Sequence, residues 1–411
     1  MNKLQFSKTK KILPIIIAIL FIIPVIPALS KLAETNRATA IKQAYANLDK
    51  NGLTIKLTAV DTTIGTLSAD SENKYELKVK VTDSDGSAVP YADVRFFSNG
   101  PDVGGSFEPR SGTTGADGFL TTFYVPPAAL DMKNRNKTDM GKSTEPVPEK
   151  NTPGAVTTEL VAMLDGTDKS SSVKIKLIPV PVVLVHGYQA SPDIFSGLRE
   201  YLSEEGYQAL APDYDSEKGV APAASQLSEY LDKRMSVLKA NGIQTKRFDI
   251  IAHSMGGLVA RYYTCSNEYS IKNDVRKLIF VSVPHKGSPF ASLGLQYYSC
   301  DSIRDMATDS DLMASVFPSM RNSGLNPSIE TGNILDRFDE VVSVQNASLA
   351  EWKINTEIFD VGESNLTVDK LMNGEILKAT NHKRILYNMK VYHKIVEMLG
   401  RKLPYPTSLS K

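Results

Sequence analysis

The sequence predicts a two-part chain: an all-β sandwich over residues 50–178, then a doubly wound, mostly parallel α/β fold over 179–405. Three observations predict it. Between residues 50 and 178, apolar residues recur with period two in short runs separated by Asp-Gly and Gly-Pro turns, with no helical spacing among them. After Pro179, near-continuous apolar runs alternate with segments of helical spacing, as parallel strands joined by crossover helices would be written. One of those runs, Asp249-Ile250-Ile251-Ala252-His253, breaks into Ser254-Met255-Gly256-Gly257 before an apolar, helix-like segment. That is the pattern of a strand, a very tight turn and a helix, with the serine pushed clear of the sheet.

The 411 residues leave room for two domains and a sizeable core. Lysine and arginine total 47 against 46 acidic residues, so the chain lacks the basic excess of a nucleic-acid binder and no nucleic-acid partner is expected. Lys3, Lys8, Lys10 and Lys11 precede an apolar run from Ile12 to Leu29. Residues 1–30 therefore read as a signal peptide, with Ala28-Leu29-Ser30 as a small-residue cleavage site, or as an N-terminal membrane anchor. Pro14, Pro24 and Pro27 favour the cleaved form because they make a poor permanent helix. Either way the chain is exported, to the medium or the cell surface. In that setting Cys265 and Cys300 are either a disulfide or two buried thiols, and their spacing does not choose. No metal-ligand cluster stands out, and neither metal nor other cofactor is expected.

Residues 31–49 read as a polar helical or flexible tether. Strands follow at Leu53-Ile55-Leu57, Tyr75–Val81, Val94–Phe96, Phe119–Val125, Glu159–Met163 and Val173–Leu177. Asp83-Ser84-Asp85-Gly86 has the look of a calcium loop, but Val94 stands where the twelfth-position glutamate is required, so it reads as a hairpin turn. Asp131 to Gly154, rich in Lys, Asn, Pro and Glu, reads as a long mobile loop. Val79 to Phe96 together with Thr113-Thr114-Gly115-Ala116-Asp117-Gly118-Phe119-Leu120 resembles the bacterial Ig-like modules of surface proteins and adhesins. The resemblance covers about 50–178 and implies an Ig-like sandwich that binds a cell-envelope or surface ligand.

In the second part, Val180–Val185 reads as a strand buried on both faces, Ser191–Glu205 as a helix, Tyr207–Ala211 as a strand and Ala221–Ala240 as a helix. Phe248–Ala252, Met255–Tyr263 and Lys277–Val283 continue as strand, helix and strand. Ser254 then sits at the carboxyl end of a parallel strand, where such sheets carry their sites.

A serine hydroxyl is a poor nucleophile until an imidazole takes its proton, and the chain has five histidines. His253 adjoins the serine and reads as a turn-shaping residue, and His186 ends the first strand. His393 lies within the last helix, Val391–Leu399. His382, on the turn between a short strand and that helix, is favoured as base over His285. The acid that orients it is best matched by Asp339, an acidic turn residue ahead of Val341-Val342; Asp336 is the near rival, with Asp360 and Asp369 behind. Two backbone N–H groups are needed for the oxyanion: Met255, after the serine, and Tyr188, where His186-Gly187 lets the backbone turn in. The mixed stretch from His285 to Pro327 reads as a lid or acyl-chain wall, or as ordinary helices beside the sheet.

Leu184-Val185-His186-Gly187-Tyr188, the stretch from Ala252 to Tyr263, Val281 to Ser288, Asp339 to Val342 and Asn381 to Leu386 together resemble the α/β-hydrolase lipases and esterases. The nearest likeness is to the bacterial group with Ala-x-Ser-x-Gly at the serine. The resemblance covers about 180–400. It implies Ser254 as nucleophile, His382 as base, Asp339 as acid, and Tyr188 and Met255 as oxyanion donors. Cofactor-free cleavage of a lipid or other carboxylic ester through an acyl-enzyme follows from it. About 40 residues between acid and histidine depart from the family pattern and put the acid in doubt. An acyltransferase or amidase with the same triad, and a surface-binding protein with an inactive hydrolase domain, are the competing readings.

Overall fold

The computed structural model describes Thr39 and residues 50–407, apart from 101–103, 133–153, 296–299 and 363–379. The leader, nearly all of the tether, most of the 131–154 loop and Asp369 lie outside the described residues. Among the described residues no helix is long and apolar enough to cross a membrane.

Nine strands come first: β1 (Thr54–Ala59), β2 (Thr66–Ser68), β3 (Tyr75–Thr82), β4 (Asp93–Asn99), β5 (Ser106–Glu108), β6 (Ser111–Thr113), β7 (Phe119–Val125), β8 (Val156–Leu164) and β9 (Ser170–Ile178). Strict alternation drives the pairing. In β3, Tyr75, Leu77, Val79 and Val81 are buried while Glu76 and Lys78 face water. One antiparallel sheet runs β1-β3-β7-β5. Its inner residues share a core with Val94, Phe96, Leu160, Ile175 and Leu177 of the second sheet. The Asp83 carboxylate accepts the Asp85 and Ser87 amides at 3.0 and 2.9 Å and so closes the turn after β3.

The second sheet holds a strand that the period-two reading does not reveal. Its order is β12-β2-β9-β8-β4-β6, and β12 (Ile243–Gln244) comes from the α/β part of the chain. Ile243 and Gln244 pair in parallel with Thr66 and Leu67. Ser68 Oγ donates to Thr245 Oγ1 at 2.8 Å, and Asn73 Nδ2 reaches the Gln244 carbonyl at 3.3 Å. Arg276 completes the seam: it forks onto the Asp249 carboxylate and also donates to the Ala69 and Ala128 carbonyls. Both charges are buried. Asp249→Ala would leave a buried guanidinium without its counter-charge and is expected to destabilise the fold by about 3–5 kcal/mol, read by urea or thermal unfolding. Unchanged stability would contradict this.

The remaining sheet has six strands, all parallel, in the order β11-β10-β13-β14-β15-β16. They are β10 (Val182–Val185), β11 (Ala209–Leu210), β13 (Phe248–His253), β14 (Val275–Val281), β15 (Glu330–Asp336) and β16 (Thr356–Phe359). Every residue of β10, β13 and β14 is buried, as expected of strands covered on both faces. Alternate residues enter two cores. Val183, Val185, Ile250 and Phe280 pack under helices α2 (Val220–Ala240) and α3 (Met255–Cys265). Val182, Leu184, Ile251 and Ile279 pack under α1 (Ser196–Glu204) and the C-terminal helix α4 (Met389–Gly400). Lys277 caps α4 by donating to the Met398, Leu399 and Arg401 carbonyls. The strand order reverses between β10 and β13, so their carboxyl ends flank the crevice that open α/β sheets use for ligands. β12 directly precedes β13 and Arg276 lies at the start of β14, so the seam with the second β sheet is at the opposite, amino-terminal end of these strands.

Between Val283 and Leu325 the described helices pack on the sheet. Ile303, Met306, Leu312 and Phe317 are buried in the core under α3, while Leu293 is exposed. Tyr297 and Tyr298 lie outside the described residues. Cys265 and Cys300 are free thiols.

Candidate active site

Strand β13 ends at His253, and Ser254 takes φ 54° and ψ −130° before α3 begins at Met255. A non-glycine residue is strained in that region, and the surrounding contacts hold it there. The Ser254 amide donates to the Val281 carbonyl at 3.1 Å, and its carbonyl accepts from Gly257 at 2.9 Å. Two glycines admit the turn. A Cβ on Gly256 would lie 2.4 Å from the Val185 and His186 carbonyl oxygens, and one on Gly187 would lie 2.8 Å from the Ser254 Cβ. The loop after β10 is therefore drawn against the serine, with Tyr188 half-buried just beyond it and Met255 fully buried on the other side.

Three side chains from distant parts of the chain meet here. Ser254 Oγ stands 2.8 Å from His382 Nε2. His382 Nδ1 lies 2.8 Å from Asp339 Oδ2 and 3.0 Å from Oδ1. Asp339 Oδ1 also accepts the Val341 and Val342 amides, each at 2.9 Å. Burial alone would raise the Asp339 carboxyl, but the facing His382 ring and the Val342 amide hold it below its ordinary value. A charged Asp339 fixes the proton of His382 on Nδ1, which leaves Nε2 free to accept the serine proton.

The other acidic candidates stand elsewhere. Asp336, at the end of β15, accepts the Phe338 and Val361 amides at 3.3 and 3.1 Å. Burial raises its carboxyl. Asp360 pairs with Arg337 at the surface, 2.7 Å away. His382 occupies a helical turn, Thr380–Arg384, ahead of α4. The residues just before that turn are outside the described set.

The remaining histidines are engaged in other contacts or exposed. His186 stacks on Tyr214, with ring centroids 4.2 Å apart, and its Nδ1 bonds the Gly187 carbonyl. His285 is buried beside Arg261, whose guanidinium donates to the His285 carbonyl at 2.9 Å; burial and that charge hold the imidazole well below its ordinary pKa. His393 is exposed. His253 is buried and lowered to about 3 by burial and by the neighbouring His382. Its Nε2 contacts the His382 carbonyl at 3.0 Å. Glu340 is a residue the sequence did not single out: its two oxygens accept the Asn381 and His382 amides at 3.0 and 3.2 Å. No sequence signal marks such a role, because the partners are backbone amides 41 and 42 positions away. Among the described residues, no group of three or more His, Cys, Asp or Glu is placed to hold a metal ion.

Residues 213–306, which include Ser254, match the family model of the PGAP1-like alpha/beta domain. The chain is similar to triacylglycerol lipase 2 of Saccharomyces cerevisiae, 26% identical over 132 residues. That match spans 31% of this chain and 35% of the yeast protein, about a third of the relative's length. Among solved structures, a lipase of Bacillus licheniformis in mature form aligns with TM-score 0.41 and 14% identity, over 54% of this chain and 92% of that one. A soluble variant of monoglyceride lipase from Saccharomyces cerevisiae aligns with TM-score 0.34 and 15% identity, over 59% of this chain and 94% of its own. The parallel sheet order and the matched family model agree on an α/β fold for this part of the chain.

Proposed function

We propose that the chain is a serine hydrolase that cleaves carboxylic esters of the lipase and esterase type. One observation carries the reading: Ser254 Oγ, His382 and Asp339 stand in a continuous hydrogen-bonded line with both links at 2.8 Å. In this reading Ser254 attacks the ester carbonyl while its proton passes to His382 Nε2. Asp339 stabilises the imidazolium that forms. The carbonyl electron pair moves onto oxygen, where the backbone N–H groups of Tyr188 and Met255 receive it, a contribution of ~3–4 kcal/mol per donor. Collapse expels the alcohol, which takes the proton from His382, and leaves an acyl-Ser254. Water, deprotonated by the same imidazole, then releases the acid. No step calls for a cofactor.

The name of the similar yeast protein, a triacylglycerol lipase, supports a lipid-like ester as substrate. The two sheets packed around one core support an Ig-like reading of residues 50–178. The basic and apolar leader supports secretion or display at the cell surface, with the Ig-like part meeting an envelope ligand. The test is turnover of p-nitrophenyl esters from acetate to long acyl chains. Hydrolysis with a preference along that series is expected, and protein inert on every ester would sink the enzyme reading.

A further inference from the structure

An imidazole is only as well placed as the peptide that carries it, and the His382 peptide is gripped on both sides. Its N–H donates to Glu340 Oε2 at 3.2 Å while the adjacent Asn381 N–H donates to Oε1 at 3.0 Å. Its carbonyl accepts from His253 Nε2 at 3.0 Å. Asn381 Nδ2 ties the same turn to the Phe338 carbonyl at 2.9 Å. Resting on the hydrolase reading above, we propose that Glu340 and His253 are positioning residues that clamp the His382 backbone and thereby set Nε2 against the Ser254 hydroxyl.

Each half of the clamp has a physical rationale. Thr380–Arg384 is a helical turn of five residues, too short to be stable on its own, so its placement must come from outside contacts. Glu340 directly follows Asp339, so one loop supplies both the carboxylate that holds the ring and the carboxylate that holds the backbone. Bonds from amides to an ionised acceptor are the stronger kind. His253 enters from β13, one residue before the serine, so the strand that carries the nucleophile also fixes the base. Because its partner is a carbonyl, His253 must donate, which places its single proton on Nε2. Its Nδ1 is buried with no hydrogen-bond partner. Leaving a polar atom unsatisfied costs about 1–3 kcal/mol, which an apolar side chain would avoid. The bond to His382 is what a histidine supplies at this position and a hydrophobe cannot.

The experiment uses the full chain with Glu340→Ala, Glu340→Gln, His253→Phe and the Glu340→Ala/His253→Phe double variant. Glu340→Ala is expected to lower kcat for a p-nitrophenyl ester about 100-fold, the scale of a small misplacement of a reacting group. KM should stay within about twofold, since substrate contacts are untouched. Glu340→Gln keeps one acceptor oxygen but turns its NH2 group toward the other amide, so its loss should fall between wild type and Glu340→Ala. The double variant should lose less than the product of the single losses, because the two residues hold the peptide groups on either side of the same Cα, that of His382. Hydrogen exchange at the Asn381 and His382 amides should quicken in Glu340→Ala without global unfolding. Unchanged kcat in Glu340→Ala, a loss appearing in KM alone, fully multiplicative losses or unchanged exchange would each overturn the clamp. If Glu340→Ala fails to fold, Glu340→Gln and His253→Phe carry the same kcat and exchange tests. A wild-type chain inert on esters would instead overturn the hydrolase reading, and the exchange measurement would still decide the clamp.

Discussion

Replacing Ser254 with alanine is expected to lower kcat for ester hydrolysis by about a million-fold while leaving KM nearly unchanged. The hydroxyl at 2.8 Å from His382 Nε2 is the protein group that bonds to the acyl carbon in the proposed sequence of steps, and alanine removes it with little change in volume. His382→Ala should cost a similar factor, and the double variant little more, because the two residues act as one unit. A residue of about a thousand-fold over the uncatalysed rate should survive, from substrate binding and the backbone donors. Steady-state kinetics on p-nitrophenyl butyrate read all three. Turnover that persists at the wild-type level in Ser254→Ala would place the chemistry elsewhere.

Asp339→Asn is expected to cost about ten-thousand-fold in kcat, and the local backbone explains why an isosteric change does so much. The Val341 and Val342 amides both donate to Oδ1, so the asparagine oxygen is held at that position. Its NH2 group must then occupy the place of Oδ2, 2.8 Å from His382 Nδ1. There it donates to Nδ1 and drives the imidazole proton onto Nε2, the tautomer that cannot accept from serine. Asp336→Asn should leave kcat within about threefold, since its Oδ1 bonds backbone amides and the histidine is held by Asp339 instead. The reverse pair of results would move the acid to Asp336.

How much of this was legible in the sequence depended on the range of the signal. Strands β10, β13 and β14 were legible because burial on both faces writes a short apolar run at the centre of each, Val182–Val185, Ile250–Ala252 and Leu278–Val281. β2, β5 and β6 did not: three residues are too few to establish a period. The tight turn at Ser254 was readable because the glycine at 256 answers a local steric demand from the β10 carbonyls. Asp339 and Asp336 were harder to separate, being three residues apart with similar surroundings in sequence. They differ in which carboxylate faces His382, a contact across 43 positions. His253 was readable as unsuited to be the base, whereas its bond to the His382 carbonyl depends on a turn 129 positions away. Glu340 carried no mark for the same reason.

The pairing of β12 with β2 bears on how the chain acquires its structure. Ser68 and Thr245, bonded to each other beside that pair, are 177 positions apart. As the polypeptide is synthesised from its amino end, the sheet that begins with β2 must wait, with its outer edge unfilled, until the segment after α2 has been made. Such long-range pairings close slowly, because loop entropy is lost before the contact is gained. An unfilled edge is also where another chain can add itself. The nascent amino-terminal half is thus the stage of synthesis at which that edge stands open to pairing with another chain.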